Sequence, residues 1–238
     1  MLQKFRTGWS EKMKILSQDY LDDVLVRMAY HSSGIEGNTI SLPQTVSIIL
    51  EGTLPSSSKS IREFYEIENH KQTFDYMLTL LETDKTLSVE IIKTIHELLT
   101  DRLQHDKGQF KTKQNTIRGA EFKTATPDAT PFLMNQWIDN TNFRLNNVAQ
   151  SEHEQLEILA DSYIQFDRIH PFSNGNGRVG RLILMFLSLK YTGAPVVIHK
   201  DWRGQYMEFL GEQNIQELSK LFEESLSFER QRIVEFNQ

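Results

Sequence analysis

Cysteine is missing from this sequence altogether, which excludes a disulfide framework, a thiolate metal site and a cysteine nucleophile, and is compatible with a reducing cytoplasm. Histidine is then the only soft metal ligand left. His31, His70, His96, His105, His153 and His199 form no His-x-x-x-His or His-Glu-x-x-His pair, so we read them as helix-surface and core residues and expect no zinc site. Long apolar runs are missing too. Nothing approaches the roughly 18 to 20 residues that span a bilayer, and the opening MLQKFRTGWSEKMK has no signal-peptide core; the expectation is a cytoplasmic protein without membrane contact. Basic charge is sparse: the formal net charge is −6 and no basic tract exceeds the KTK at Lys111 to Lys113. The wide positive face of a nucleic-acid binder is therefore absent, and any phosphate must be bound locally.

What is present is helix. A 39% hydrophobic content over 238 residues suits one packed domain with helical appendages. Leu21, Val24, Leu25, Met28 and Ala29 follow the i, i+3, i+4, i+7, i+8 spacing of an amphipathic helix, which should end near Gly34. Pro43 opens a short helix that Gly52 ends. Ser60 with Glu63, and Ser151 with Glu154, are capping boxes that predict helices to about Leu81 and Ile169. Ser88 and Pro131 start two more, to about Arg102 and Arg144. The run Leu182 to Leu187 is apolar on nearly every face and predicts a central buried helix. Two last helices, about Trp202 to Leu210 and Ile215 to Phe236, close the chain. Gly108 to Thr126 reads as a loop followed by a short β-hairpin of about five residues a side around Arg118 to Glu121, resting on helices.

Chemistry concentrates in Ile169-His170-Pro171-Phe172-Ser173-Asn174-Gly175-Asn176-Gly177-Arg178-Val179-Gly180-Arg181, a glycine-bearing turn between two helices. Gly175 and Gly177 permit backbone conformations that let consecutive N–H groups converge on an anion at a helix N-terminus. Arg178 and Arg181, three apart, project on one side and can fork around phosphate oxygens. Arginine opposes the helix dipole there, and an anionic ligand would relieve the conflict. His170, just before the turn, is placed to take a proton from a hydroxyl. Trp202, Arg203 and Tyr206 are candidates to border the same ligand.

This segment resembles the signature of the Fic family, His-x-Phe-x-(Asp/Glu)-Gly-Asn-Gly-Arg-x-x-Arg, at His170, Phe172, Gly175, Asn176, Gly177, Arg178 and Arg181. Gly108-Gln109-Phe110-Lys111 is similar to the family's Gly-x-aromatic-basic segment, and about residues 20 to 195 look family-like. The resemblance implies an all-α, mainly helical Fic fold with one short β-hairpin flap: an N-terminal helical region over 1–85, the catalytic core over 86–200, and C-terminal helices over 201–238 packed on it as one unit. It implies a protein adenylyltransferase in which His170 deprotonates a Tyr, Thr or Ser hydroxyl of a target protein for attack on the α-phosphate of ATP. Phe172 would then anchor the loop, Gly175, Asn176 and Gly177 bind the α- and β-phosphates, and Arg178 and Arg181 hold the outer ones. Ile117 and Phe122 would lie in the flap that docks an extended target segment.

Two features qualify that expectation. The family's acidic Mg²⁺ ligand is Asn174 here, so Mg²⁺ is expected with weaker dependence or lower activity. Ser32, Glu36 and Gly37 match the family's inhibitory (Ser/Thr)-x-x-x-Glu-(Gly/Asn) pattern, which implies that Glu36 occupies Arg181 and holds the enzyme off. Alternatives are a Fic-type transferase with another donor, a hydrolase that removes AMP, and a nucleotide-binding module with little turnover. Self-modification and a homo-oligomer are compatible with the sequence.

Overall fold

Serine opens most of the helices. In the computed structural model, which describes residues 15–53, 60–117 and 122–238, Ser17, Ser41, Ser60, Ser88 and Ser151 each accept a hydrogen bond from the backbone N–H three residues on. That satisfies a donor the first helical turn leaves unpaired. The helices that follow are α1 (Gln18–Ile35), α2 (Leu42–Val46), α3 (Ile61–Glu82), α4 (Val89–Leu99), α5 (Thr130–Asn147), α6 (Glu152–Ile169), α7 (Asn176–Thr192), α8 (Arg203–Glu212) and α9 (Ile215–Glu235). The reciprocal capping boxes form at Ser60 with Glu63 and at Ser151 with Glu154.

Local departures have local causes. α2 runs into a π-helical turn, Ser47–Glu51, that Gly52 ends in the left-handed region; the Lys71 ammonium donates to its Ile49 carbonyl. α4 stops at Leu99, short of the expected Arg102, because Thr100 Oγ1 turns back onto the His96 carbonyl and Arg102 takes a left-handed φ of 59°.

The expected β-hairpin is not formed among the described residues; its turn, 118–121, lies outside them. Side chains stand where a ladder would be. Gln114 Nε2 donates to Thr124 O, and Thr124 Oγ1 lies 2.9 Å from the Asn115 carbonyl. Carbonyls capped by amides and hydroxyls need no partner strand.

α7 is the central helix. Leu182, Leu184, Met185 and Phe186 on its different faces are all buried, and α1, α3, α4 and α6 pack around it. α6 in turn carries α5 and α9 on its other sides. The turn that joins α6 to α7 therefore emerges from the middle of the protein, where the C-terminal end of α1 and the start of α8 also arrive. Among the described residues no helix is long and apolar enough to cross a membrane.

Candidate active site

His170 is the C-cap of α6, held at φ 50° and ψ 60° with its N–H donating to Phe166 O. A left-handed conformation costs a non-glycine residue of order 1 kcal/mol and persists only where the surroundings impose it. Here they do. Asn115 Nδ2 donates to the carbonyls of His170 and Phe172, Lys111 N–H donates to Pro171 O, and the buried Lys111 ammonium reaches Ile169 O at 3.0 Å. Without a carboxylate beside it, burial brings the Lys111 ammonium down to about 8. His170 Nδ1 lies 3.2 Å from the Asp167 carbonyl and 3.7 Å from its carboxylate. Placing the proton on Nδ1 satisfies that contact and leaves the Nε2 lone pair for a ligand.

Phe172 is fully buried, stacked on the His96 ring at 3.8 Å and tilted against Phe110. Asn176 is buried and commits both ends of its amide to Phe172: Oδ1 accepts from the Phe172 N–H and Nδ2 donates to its carbonyl. The Asn176 backbone N–H stands at the start of α7.

The two glycines are needed for different reasons. Gly175 caps α7 at φ 80°, and a Cβ there would meet Thr100 at 3.1 Å. Gly177 does not take the unusual backbone expected of it. It is helical, and a Cβ there would meet the ends of the Glu36 and Arg181 side chains, so a larger residue would push the Glu36 carboxylate aside.

The arginines are both buried but differ in their partners. Arg181 donates from Nε to Ser32 Oγ at 3.0 Å, and from Nη2 to Ser32 O at 2.9 Å and to Glu36 Oε1 at 2.6 Å. Beneath it Tyr206, hydrogen-bonded to Tyr163, lies 3.5 Å from Nη1. Burial alone would raise the Glu36 carboxyl, but the charge and hydrogen bond of Arg181, together with the charges of Arg178 and Arg203, outweigh it and hold the carboxyl below the usual range. Arg178, by contrast, has Nε and Nη1 buried with no partner, and burial pushes its guanidinium down. Buried unpaired donors are costly, and these two lack an acceptor.

His170, Asn174, Gly175, Asn176, Gly177, Arg178, Arg181, Glu36 and Ile117 all line one cavity of about 270 Å³. Ser32 reaches it through Arg181; Gly37 sets the turn after Glu36 at φ 95°. Phe122 does not line it and lies under the Arg168 guanidinium at 4.1 Å. Arg203 and Tyr206 also line it, Tyr206 from beneath Arg181, whereas Trp202 stacks on His199 instead.

Sequence reasoning missed His96 and Asp167. Gly108 N–H donates to His96 Nδ1 at 2.9 Å, so the ring proton sits on Nε2 and is given to the Asn174 carbonyl at 3.1 Å. His96 thereby ties α4 to the turn, and no local pattern announces a partner 78 residues away. Asp167, one helical turn before His170, was findable from spacing alone.

At Asn174 a metal would meet a neutral amide in place of a carboxylate. Its Oδ1 accepts the Gly175 N–H at 2.7 Å and its carbonyl accepts His96. Among the described residues no group of three or more His, Asp or Glu side chains is disposed to hold a metal.

In this mainly helical protein the glycine turn that opens the buried α7 gathers a histidine and two arginines round one cavity. Residues 86–188 match the model of the Fic/DOC family, and the chain belongs to that family. It is 31% identical over 190 residues to "Protein adenylyltransferase Fic" of Aedes aegypti, covering 79% of this chain and 37% of the relative. The protein of the same name from Drosophila willistoni is 31% identical over 182 residues, 76% of this chain and 35% of the relative. The chain thus spans a little over a third of the length of these curated relatives. In fold it is similar to a Fic-domain-containing signalling protein from Bacteroides thetaiotaomicron, with a TM-score of 0.77 at 23% identity over 91% of this chain and 92% of that one.

Proposed function

We propose that this chain is a protein adenylyltransferase that moves AMP from ATP to a Tyr, Thr or Ser hydroxyl of a target protein, and that Glu36 holds it off. The observation that carries this reading is the pair of unpartnered buried donors on Arg178 in the same cavity as His170 and the glycine turn. They call for an anion of several acceptors beside a candidate base, and a nucleoside triphosphate supplies both the acceptors and a scissile bond.

In this reading the target oxygen attacks the α-phosphorus as its proton passes to His170 Nε2. The bond from the α-phosphorus to the α,β-bridging oxygen breaks, and pyrophosphate leaves. A positioned base contributes roughly 10²- to 10⁴-fold to such a step. Mg²⁺, if bound, would be held mainly by the nucleotide's own phosphates, since the turn offers the amide of Asn174 in place of a carboxylate, and it would supply charge neutralisation there. The target lies along residues 111–117, with Ile117 at the cavity and Phe122 behind it; the same docking permits self-modification. A cytoplasmic location and a homo-oligomer are retained as proposals.

Glu36 competes for the guanidinium that an outer phosphate needs. Its side chain is 44% exposed, so the ion pair is worth less than a fully buried one, about 1–2 kcal/mol, or roughly tenfold or more in apparent ATP affinity. The test is incubation of the Glu36→Gly variant with ATP labelled on the α-phosphate and Mg²⁺, beside Glu36→Gly/His170→Ala. Label on protein that requires His170 and exceeds wild type is expected. Absence of label despite measurable ATP binding would overturn it and leave the second reading, a nucleotide-binding module with little turnover, which Asn174 favours.

A further inference from the structure

Asn174 stands where the family signature has an acidic residue, and one hydrogen bond orients its side chain while another holds its backbone. Gly175 N–H is a donor, so the atom 2.7 Å from it must be the amide oxygen; the opposite orientation would set N–H against NH₂. The backbone is held from the other side. Gly108 occupies His96 Nδ1, which leaves Nε2–H to donate to the Asn174 carbonyl, and burial lowers the ring to about 4, so it is neutral near pH 7. Each oxygen of Asn174 thus accepts one hydrogen bond. Nδ2 is the outward end of an exposed residue lining both the His170 cavity and an adjoining groove of about 470 Å³.

The carboxylates around the cavity are also committed. Glu36 pairs with Arg181, Glu66 receives Arg62 and Asn38, and Asp167 sits beside His170 Nδ1. A metal would therefore find neutral donors at the turn, whereas a bare phosphate would find Nδ2 and the unpartnered donors of Arg178.

We infer that Asn174 is a direct phosphate ligand through Nδ2, so that this site binds the metal-free polyphosphate of a nucleotide and does not require a divalent cation to do so. The inference rests on the reading of the cavity as a nucleotide site, but not on transfer taking place. An amide N–H on a charged oxygen contributes roughly tenfold in affinity, and a carboxylate in its place would repel the phosphates unless a cation intervened.

The experiment is calorimetric titration of the Glu36→Gly chain, and of Glu36→Gly with Asn174→Asp or Asn174→Ala, with the non-hydrolysable analogue AMPPNP, in EDTA and in Mg²⁺. For Glu36→Gly the two dissociation constants should agree within about threefold. Asn174→Asp should bind at least about tenfold more weakly in EDTA and recover in Mg²⁺, and Asn174→Ala should weaken several-fold in both. A Mg²⁺ requirement of about tenfold or more with Asn174 in place overturns the inference, as does an Asn174→Asp variant that binds equally well in EDTA. Failure of every variant to bind at millimolar AMPPNP overturns it together with the nucleotide reading. Metal-independent binding without label transfer leaves Asn174 assigned and removes only the transferase.

Discussion

The two ends of α1 are held in opposite ways. Over its first half, Tyr20 donates to the fully buried Glu229 of α9 at 2.8 Å, Arg27 at mid-helix forks onto the same carboxylate, and Asp23 receives both Arg27 and Arg232. At its finish, Ser32 and Glu36 hold Arg181 through a carboxylate that is half open to the cavity, and Arg203 Nε caps the Ile35 carbonyl. Charges buried together cannot separate without leaving one of them unsolvated, so the first end is an anchor. A half-exposed carboxylate can be replaced by water or by phosphate, so the second end is the one suited to yield. One helix thus joins a permanent attachment to a displaceable one.

The comparison breaks most severely at Glu229. Glu229→Ala leaves Arg27 buried without its partner and should lower stability by about 3–5 kcal/mol, read as the denaturation midpoint; a loss below about 1 kcal/mol would mean that the first end is no anchor.

Acid should act next. His31 and His70 are lowered by burial to about 3 and His96 to about 4, so the folded state carries them neutral while the unfolded chain protonates near 6.5. Unfolding then takes up protons, and stability is complete above pH 6.5 and declines as pH falls from there towards 4. Each should account for about 1 kcal/mol between pH 6.5 and 5.5. Thermal melts across that range check the slope, and His96→Gln should flatten it.

At the other end of α1, Glu36→Gly should raise the rate of AMP transfer about tenfold while changing stability by less than about 1 kcal/mol. A variant that melted as badly as Glu229→Ala would erase the distinction between the ends. Tyr20→Phe removes one hydrogen bond to Glu229 and should cost about 1–2 kcal/mol in stability without altering transfer.

The helical plan was legible because its signals are short-range. Ser60 with Glu63 and Ser151 with Glu154 act across one turn, and the apolar run from Leu182 marks a helix with no polar face to turn outward. The hairpin was not legible. β-formers flank Arg118 to Glu121, but Gln114, Asn115 and Thr124 compete for the carbonyls that a ladder would use, and which wins depends on what lies alongside.

The site divides in the same manner. His170, Gly175, Arg178 and Arg181 share one turn, so their convergence follows from neighbouring positions and from backbone geometry within a few residues. Gly175 could be assigned to a left-handed position from sequence; Gly177 could not be assigned to the space beside Glu36, because that space is made by a different helix. Arg181 is a candidate phosphate ligand by its motif, but only the fold brings Ser32 and Glu36 onto it across 145 to 149 residues.

Asn174 is the clearest case. Its identity, an amide where a carboxylate is expected, is a fact of the sequence alone. Which end of that amide is left free is decided locally, by the neighbouring Gly175 N–H, whereas the backbone of the turn is held by His96 from a helix 78 residues away, a donor that only the tertiary structure brings to meet it.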